Sequence, residues 1–272
     1  MKIIIPAAVL AAALSPAAAW AQEEEEPAVT ISGSAMIASD YRFRGVSQTD
    51  KEMAVQGGLT VTHESGLYAG AWASNLSGWG TFGGANMELD LIGGYKASIA
   101  DNMTLDMGLV WYMYPGGADD SDFAEPYVKL TGTTGPATLT AGAAYAPKQY
   151  ALANVSAAPN SRGQSEDNLY LWGDGALAIA GTPLTAKAHI GYSDGNPGLG
   201  LNGTSVAPTG RYWDWSLGVD AVWRNLTLNL SYVDTDISRA EAARLQPNFS
   251  KGLDGNGSIA DATVVASLTA SF

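Results

Sequence analysis

The sequence predicts an all-β fold, a transmembrane antiparallel up-and-down β-barrel of about 12 strands. Three observations lead there. Apolar and polar residues alternate with a period of two in segment after segment. After the first 21 residues no stretch approaches the ~18 consecutive apolar residues of a membrane helix. The connections between alternating segments are by turns short and long, like the tight periplasmic turns and long external loops of bacterial outer-membrane barrels.

Taken in order, segment 28–44 sets Val29, Ile31, Ile37, Tyr41 and Phe43 against Thr30, Ser32, Ser34, Asp40, Arg42 and Arg44. Segments 52–63 and 66–76 meet at the turn HESG. Segment 85–98 opposes Met87, Leu89, Leu91 and Tyr95 to Glu88, Asp90 and Lys96, and turns at IADN into 102–114. There Met103, Leu105, Met107, Leu109, Trp111 and Met113 face away from Thr104, Asp106, Gly108, Val110, Tyr112 and Tyr114. TTGP joins 123–133 to 136–147, AGTP joins 167–180 to 183–194, and RN joins 211–224 to 225–235; Gly, Asn, Asp and Pro are tight-turn residues. Ala and Gly blur the faces of 66–76 and 167–180. Segment 258–272 ends in TVVASLTASF and must pair with the first strand to leave no edge. Aromatics toward strand ends (Tyr41, Phe43, Trp111, Tyr192, Trp213, Trp215, Trp223, Phe272) resemble interfacial girdles. SRAEAARL, in the loop 236–257, reads as a short helix lying outside the barrel.

Composition agrees. Charged residues make up 15% of the chain, against roughly 25% in ordinary globular domains. A soluble sandwich, the alternative fold, would turn the apolar faces inward; a membrane barrel turns them to lipid. The net charge of −13 disfavours nucleic acid as a partner. With no cysteine there is neither a disulfide framework nor a thiolate metal site. Residues 1–21 read as a signal peptide, with Lys2, an apolar middle and the small-residue site Ala19-Trp20-Ala21. Residues 22–27, QEEEEP, read as a solvated acidic periplasmic leader. The barrel then occupies 28–272, and the expected location is the bacterial outer membrane.

The run SDYRFRGVSQTDKEMAVQGGLTV (39–61), followed by ELDLIGGY (88–95), resembles the TorF family of porins, over the whole chain after the signal segment. The resemblance implies an outer-membrane barrel with a porin role. It carries over no substrate and no catalytic residue.

Period-two parity nominates thirteen lumen-lining residues: Asp40, Arg42, Arg44, Glu88, Asp90, Lys96, Asp106, Lys129, Asp174, Lys187, His189, Asp214 and Asp220. Mixed charges of this kind can set ion or solute selectivity in a narrow channel, or pair across a plugged lumen. The only histidines are His63, at a periplasmic turn, and His189, on the inward face beside Lys187. No catalytic, cofactor or metal site is expected. The expected function is passive diffusion of small solutes or ions through a narrow polar lumen. A lipid-modifying outer-membrane enzyme and a closed structural or adhesion barrel are the alternatives. The expected partners are outer-membrane lipid, small solutes or ions, and the barrel-assembly machinery acting on the C-terminal strand that ends in Phe272.

Overall fold

The computed structural model describes residues 28–118, 120–152, 165–197 and 206–272. The expected signal segment 1–21 and leader 22–27 lie outside the described residues. The strands are β1 (Val29–Ala38), β2 (Arg42–Phe43), β3 (Val46–Ser47), β4 (Ala54–His63), β5 (Leu67–Asn75), β6 (Met87–Ala100), β7 (Met103–Met113), β8 (Phe123–Thr134), β9 (Ala137–Gln149), β10 (Glu166–Ala178), β11 (Leu184–Gly195), β12 (Arg211–Trp223), β13 (Leu226–Thr235) and β14 (Thr263–Ser271). Twelve of them form a closed antiparallel barrel, β1-β14-β13-β12-β11-β10-β9-β8-β7-β6-β5-β4, while β2 and β3 form a separate two-stranded hairpin.

Closure depends on β1 pairing with both β4 and β14. At the seam Gly33 N donates to Phe272 O at 2.8 Å, and Phe272 N donates to Gly33 O at 3.0 Å. The Phe272 ring covers Gly33 so closely that a Cβ there would lie 2.6 Å from it. Glycine fits because an aromatic from the neighbouring strand takes the place of its missing side chain.

Alternation becomes two faces. Leu217 is 62% exposed and Leu230 51%, whereas Asp106 and Asp214 are each 3% exposed. Apolar outside and polar inside is the arrangement of a barrel that meets hydrocarbon. The abundant glycines also have a place on the inner face. Tyr127 lies over Gly108, Trp172 over Gly142 and Tyr170 over Gly191, each within 3 Å of where a Cβ would stand. Lumen aromatics therefore lie against the wall instead of crossing the space.

The ends differ. At the first, the connections are the short turns at 64–66, 101–102, 135–136, 179–183 and 224–225; at the other, 39–53, 76–86, 114–122 and 236–262 are long. The long loops build a cap whose apolar core joins Val46, Leu76, Trp79, Phe82, Phe249 and Ile259 to the wall residues Tyr112 and Phe123. Trp79 meets Phe249 edge-on at 4.9 Å, and Tyr112 stacks on Phe123 at 4.6 Å. The helix expected in SRAEAARL is α1 (Arg239–Ala242); Ser238 and Glu241 form a capping box at its start. Its Ala242 is buried in the cap.

Leu230→Arg, near mid-strand on the outer face, is expected to cost about 2–4 kcal/mol, while Thr227→Arg, on the inner face, costs less than about 1 kcal/mol. Denaturant titration of the protein folded in lipid vesicles checks both.

Candidate functional site

The first strand stops sooner than its alternation suggested. β1 ends at Ala38, and residues 39–53 fold back into the barrel as the β2–β3 hairpin. Tyr41, Phe43, Arg42 and Arg44 therefore project from this hairpin and not from the wall. Tyr41 and Phe43 are not girdle residues: Tyr41 packs edge-on against Trp72 at 5.4 Å, and Phe43 against Tyr112 at 5.9 Å.

The hairpin is braced from within. Asp40 accepts from Arg42 Nε at 2.5 Å, from Ser47 Oγ at 2.6 Å and from Thr49 Oγ1 at 3.2 Å. Tyr41 N donates to Thr49 Oγ1, and Gln48 N donates to Tyr41 O. The turn residues Arg44 and Gly45 have φ of +48° and +79°. Only glycine suits the second position, because a Cβ there would lie 2.4 Å from Thr235 and 3.0 Å from Asp214. The run SDYRFRGVSQT is thus the recipe for one hairpin.

Its tip reaches the far wall. Arg44 Nη2 donates to both carboxylate oxygens of Glu125 on β8, at 2.7 and 2.8 Å. The guanidinium carbon lies 4.1 Å from the Tyr170 ring centroid on β10 and 4.7 Å from that of Phe43. Tyr212 on β12 donates its hydroxyl to Arg44 O at 3.0 Å. Burial alone would weaken the Arg44 charge; the adjoining Glu125 carboxylate more than offsets this and raises the guanidinium above its ordinary range. From the loop side, Arg42 Nη1 and Ser47 N donate to Ile259 O, at 2.7 and 3.1 Å.

Beside the hairpin lies a cavity of about 640 Å³ lined by Arg42, Arg44, Lys96, Asp106, Lys129, Asp174, His189 and Asp214, with Tyr68, Tyr127, Tyr170 and Trp172 among its aromatics. Lys129 and Lys96 approach Asp106 at 3.3 and 3.8 Å, and Tyr68 donates to Asp106 at 2.7 Å while also contacting the Tyr127 hydroxyl. His189 Nδ1 lies 2.6 Å from Asp174 and Nε2 3.1 Å from Asp214. Of the remaining parity candidates, Asp40 is buried inside the hairpin, and Glu88 and Asp90 are buried on the inner face of β6, away from the cavity lining. Lys187 and Asp220 pair at 3.5 Å, Lys187 lining a neighbouring recess with Asp174 and His189. Parity did not nominate Glu125, Tyr170 or Tyr212, the hairpin's anchors. Each nonetheless has the inward parity of its strand, and only the hairpin singles them out.

The lining is polar and charged, with aromatics among it. His189 is held between carboxylates, and its Nε2 also meets the Tyr170 hydroxyl at 2.9 Å; that hydroxyl donates to Asp214 at 3.2 Å. His63 Nδ1 accepts from Ser65 N at 3.1 Å and contacts Ser65 Oγ at 2.9 Å; the pair is exposed and closes the turn between β4 and β5. Among the described residues no group of three or more His, Cys, Asp or Glu side chains could hold a metal ion.

Residues 22–272 match the model of a family described as "Bacterial protein of unknown function (Gcw_chp)". The chain belongs to this family. No curated protein matches it in sequence. Among solved structures, this Gcw_chp chain is similar to the KdgM porin, solved in complex with disordered oligogalacturonate. The TM-score is 0.51 and the identity 7%, over 89% of this chain and 98% of that one. It is also similar to the outer membrane channel DcaP of Acinetobacter baumannii, with a TM-score of 0.42 and 11% identity over 90% and 97% of the two chains. At such identities the likeness is one of fold.

Glu125→Gln leaves Arg44 buried without its counter-charge and is expected to cost about 3 kcal/mol. Faster amide exchange at Ser47 and Gln48, with the barrel strands still protected, is the accompanying expectation, measured by hydrogen–deuterium exchange in detergent.

Proposed function

We propose that this Gcw_chp protein is a passive outer-membrane channel for small solutes, of the kind its TorF resemblance implies, in which the 39–53 hairpin sets the width of the path. One observation carries the reading: the interior of the closed barrel is a charged, aromatic-walled space and not a packed core. A barrel built only for stability gains nothing from ionisable groups facing its interior, since each has to be paired or hydrated. The outward apolar face supports an outer-membrane location, and the exposed aromatic Phe272 on the closing strand supports recognition by the barrel-assembly machinery. Selectivity would come from the mixed lumen charges and from the space left beside the hairpin. Diffusion through such a lumen needs no cofactor and no turnover.

The cap favours a second reading, a barrel closed to the outside whose loops do the work. Liposome swelling separates the two. The channel reading expects vesicles containing the folded protein to admit small sugars faster than empty vesicles, and an Arg44→Ala variant to admit them several-fold faster again. Swelling at the empty-vesicle rate for both proteins would leave the closed barrel.

A further inference from the structure

Below the hairpin tip the cavity carries two three-strand clusters of opposite sign. On β6, β7 and β8, Lys96 and Lys129 flank a single carboxylate, Asp106. On β10, β11 and β12, Asp174 and Asp214 flank a single imidazole, His189. His189 Nδ1 faces Asp174, and Nε2 faces both Asp214 and the Tyr170 hydroxyl, whose hydrogen goes to Asp214; with only acceptors left for the ring, both nitrogens donate, the pattern of an imidazolium. The first cluster then has one cation in excess and the second one anion. Neither is self-neutralised, and all six side chains line the same cavity.

Lys129 and Asp174 lie at a similar depth, while Asp214 stands higher, against the tip, 3.0 Å from where a Cβ on Gly45 would be. Glu125 and Tyr170 both hold the hairpin tip. Lys129 is four residues beyond Glu125 and Asp174 four residues beyond Tyr170, each in the direction of the short-turn end. Four residues advance a strand by about 13 Å along its own tilted axis, so Lys129 and Asp174 stand below their tip contacts by a similar distance. Along the closed wall β7 and β11 are separated by β8, β9 and β10, which puts the clusters on different sides of the space. Their free charges are reachable: the Lys96 side chain is 52% exposed and that of Asp174 44%. Tyr127 and Trp172 supply flat surfaces between them.

We infer that this cavity is a binding site for small dipolar solutes that carry a carboxylate and an ammonium group at opposite ends, of short-peptide size. The carboxylate goes to Lys96 and Lys129, the ammonium to Asp174, while Asp214, buried and held by Tyr170 and His189, adds its charge from behind. The volume, about 640 Å³, is that of a small-molecule site. A dipeptide, at about 3.5 Å per residue, extends its charges roughly 7 Å apart and fits within it. A solute with one charge satisfies one cluster and leaves the other as it was, so discrimination follows from the need to fill both. The inference rests on the lumen reading above, but binding in detergent does not require that the cap open.

The test is calorimetric titration of the folded, detergent-solubilised barrel with glycylglycine, N-acetylglycylglycine, which lacks the ammonium, and glycylglycine amide, which lacks the carboxylate. Glycylglycine is expected to bind at least tenfold more tightly than either singly charged form. Lys96→Met, which keeps the Lys129–Asp106 pair, should weaken glycylglycine several-fold and leave the amide unchanged; Asp174→Asn should weaken glycylglycine and leave the N-acetyl form unchanged. Heat-modifiable gel mobility confirms that each variant is folded. Equal binding of all three compounds, or no binding of glycylglycine to a folded wild-type barrel, would overturn the assignment. Vesicles that swell normally while glycylglycine fails to bind would sink this site and leave the channel standing.

Discussion

Hydrocarbon offers the peptide backbone no hydrogen-bond partner, so every strand that meets it needs two neighbours. The pairing of β1 with β14 meets that demand and turns a sheet into a barrel. The rest of the structure depends on it. A closed wall has an inside and an outside, strand side chains alternate between them, and so one residue in two must suit lipid while the next must suit the lumen. The low charge content and the absence of a long apolar run after residue 21 are consequences of one closure.

That constraint explains which parts were legible in the sequence. The wall was readable because its strands run nine or more residues and most of them alternate with a period of two, β5 and β10 being the ones that Ala and Gly blur. Asp106, Lys129, His189 and Asp214 were assignable to one face without knowing what they touch. Their grouping was not, since it depends on register: Asp106 meets Lys96 and Lys129 only because β6 and β8 are aligned so that all three come opposite one another. The hairpin was misread as strand because YRFR alternates as well as any strand does. What turns it inward is the positive φ at Arg44 and Gly45 and a carboxylate 81 residues away at Glu125. Neither a backbone reversal of that kind nor so distant a partner leaves a periodic trace. The cap was equally hidden, because its apolar core is gathered from loops that are individually short of pattern.

The hairpin joins the two halves of the account. It draws its rigidity from its own polar residues, centred on Asp40, and its position from Arg44, so it can occupy the lumen without filling it. The aromatic side chains that might have closed the space lie flat over inward glycines. What is left is a charged cavity under a braced strap, beneath an apolar cap. The proposed passive channel, narrowed by the strap, uses the cavity and the strap; the cap is the feature that favours the closed barrel.

Single-channel conductance in a planar bilayer tests that claim most directly, with the wild type compared with a variant in which Arg44 and Glu125 are both alanine. The account predicts small discrete steps for the wild type and distinctly larger ones once the tip is released. Wild-type steps as large as those of the variant, or a folded barrel silent in both forms, would contradict it.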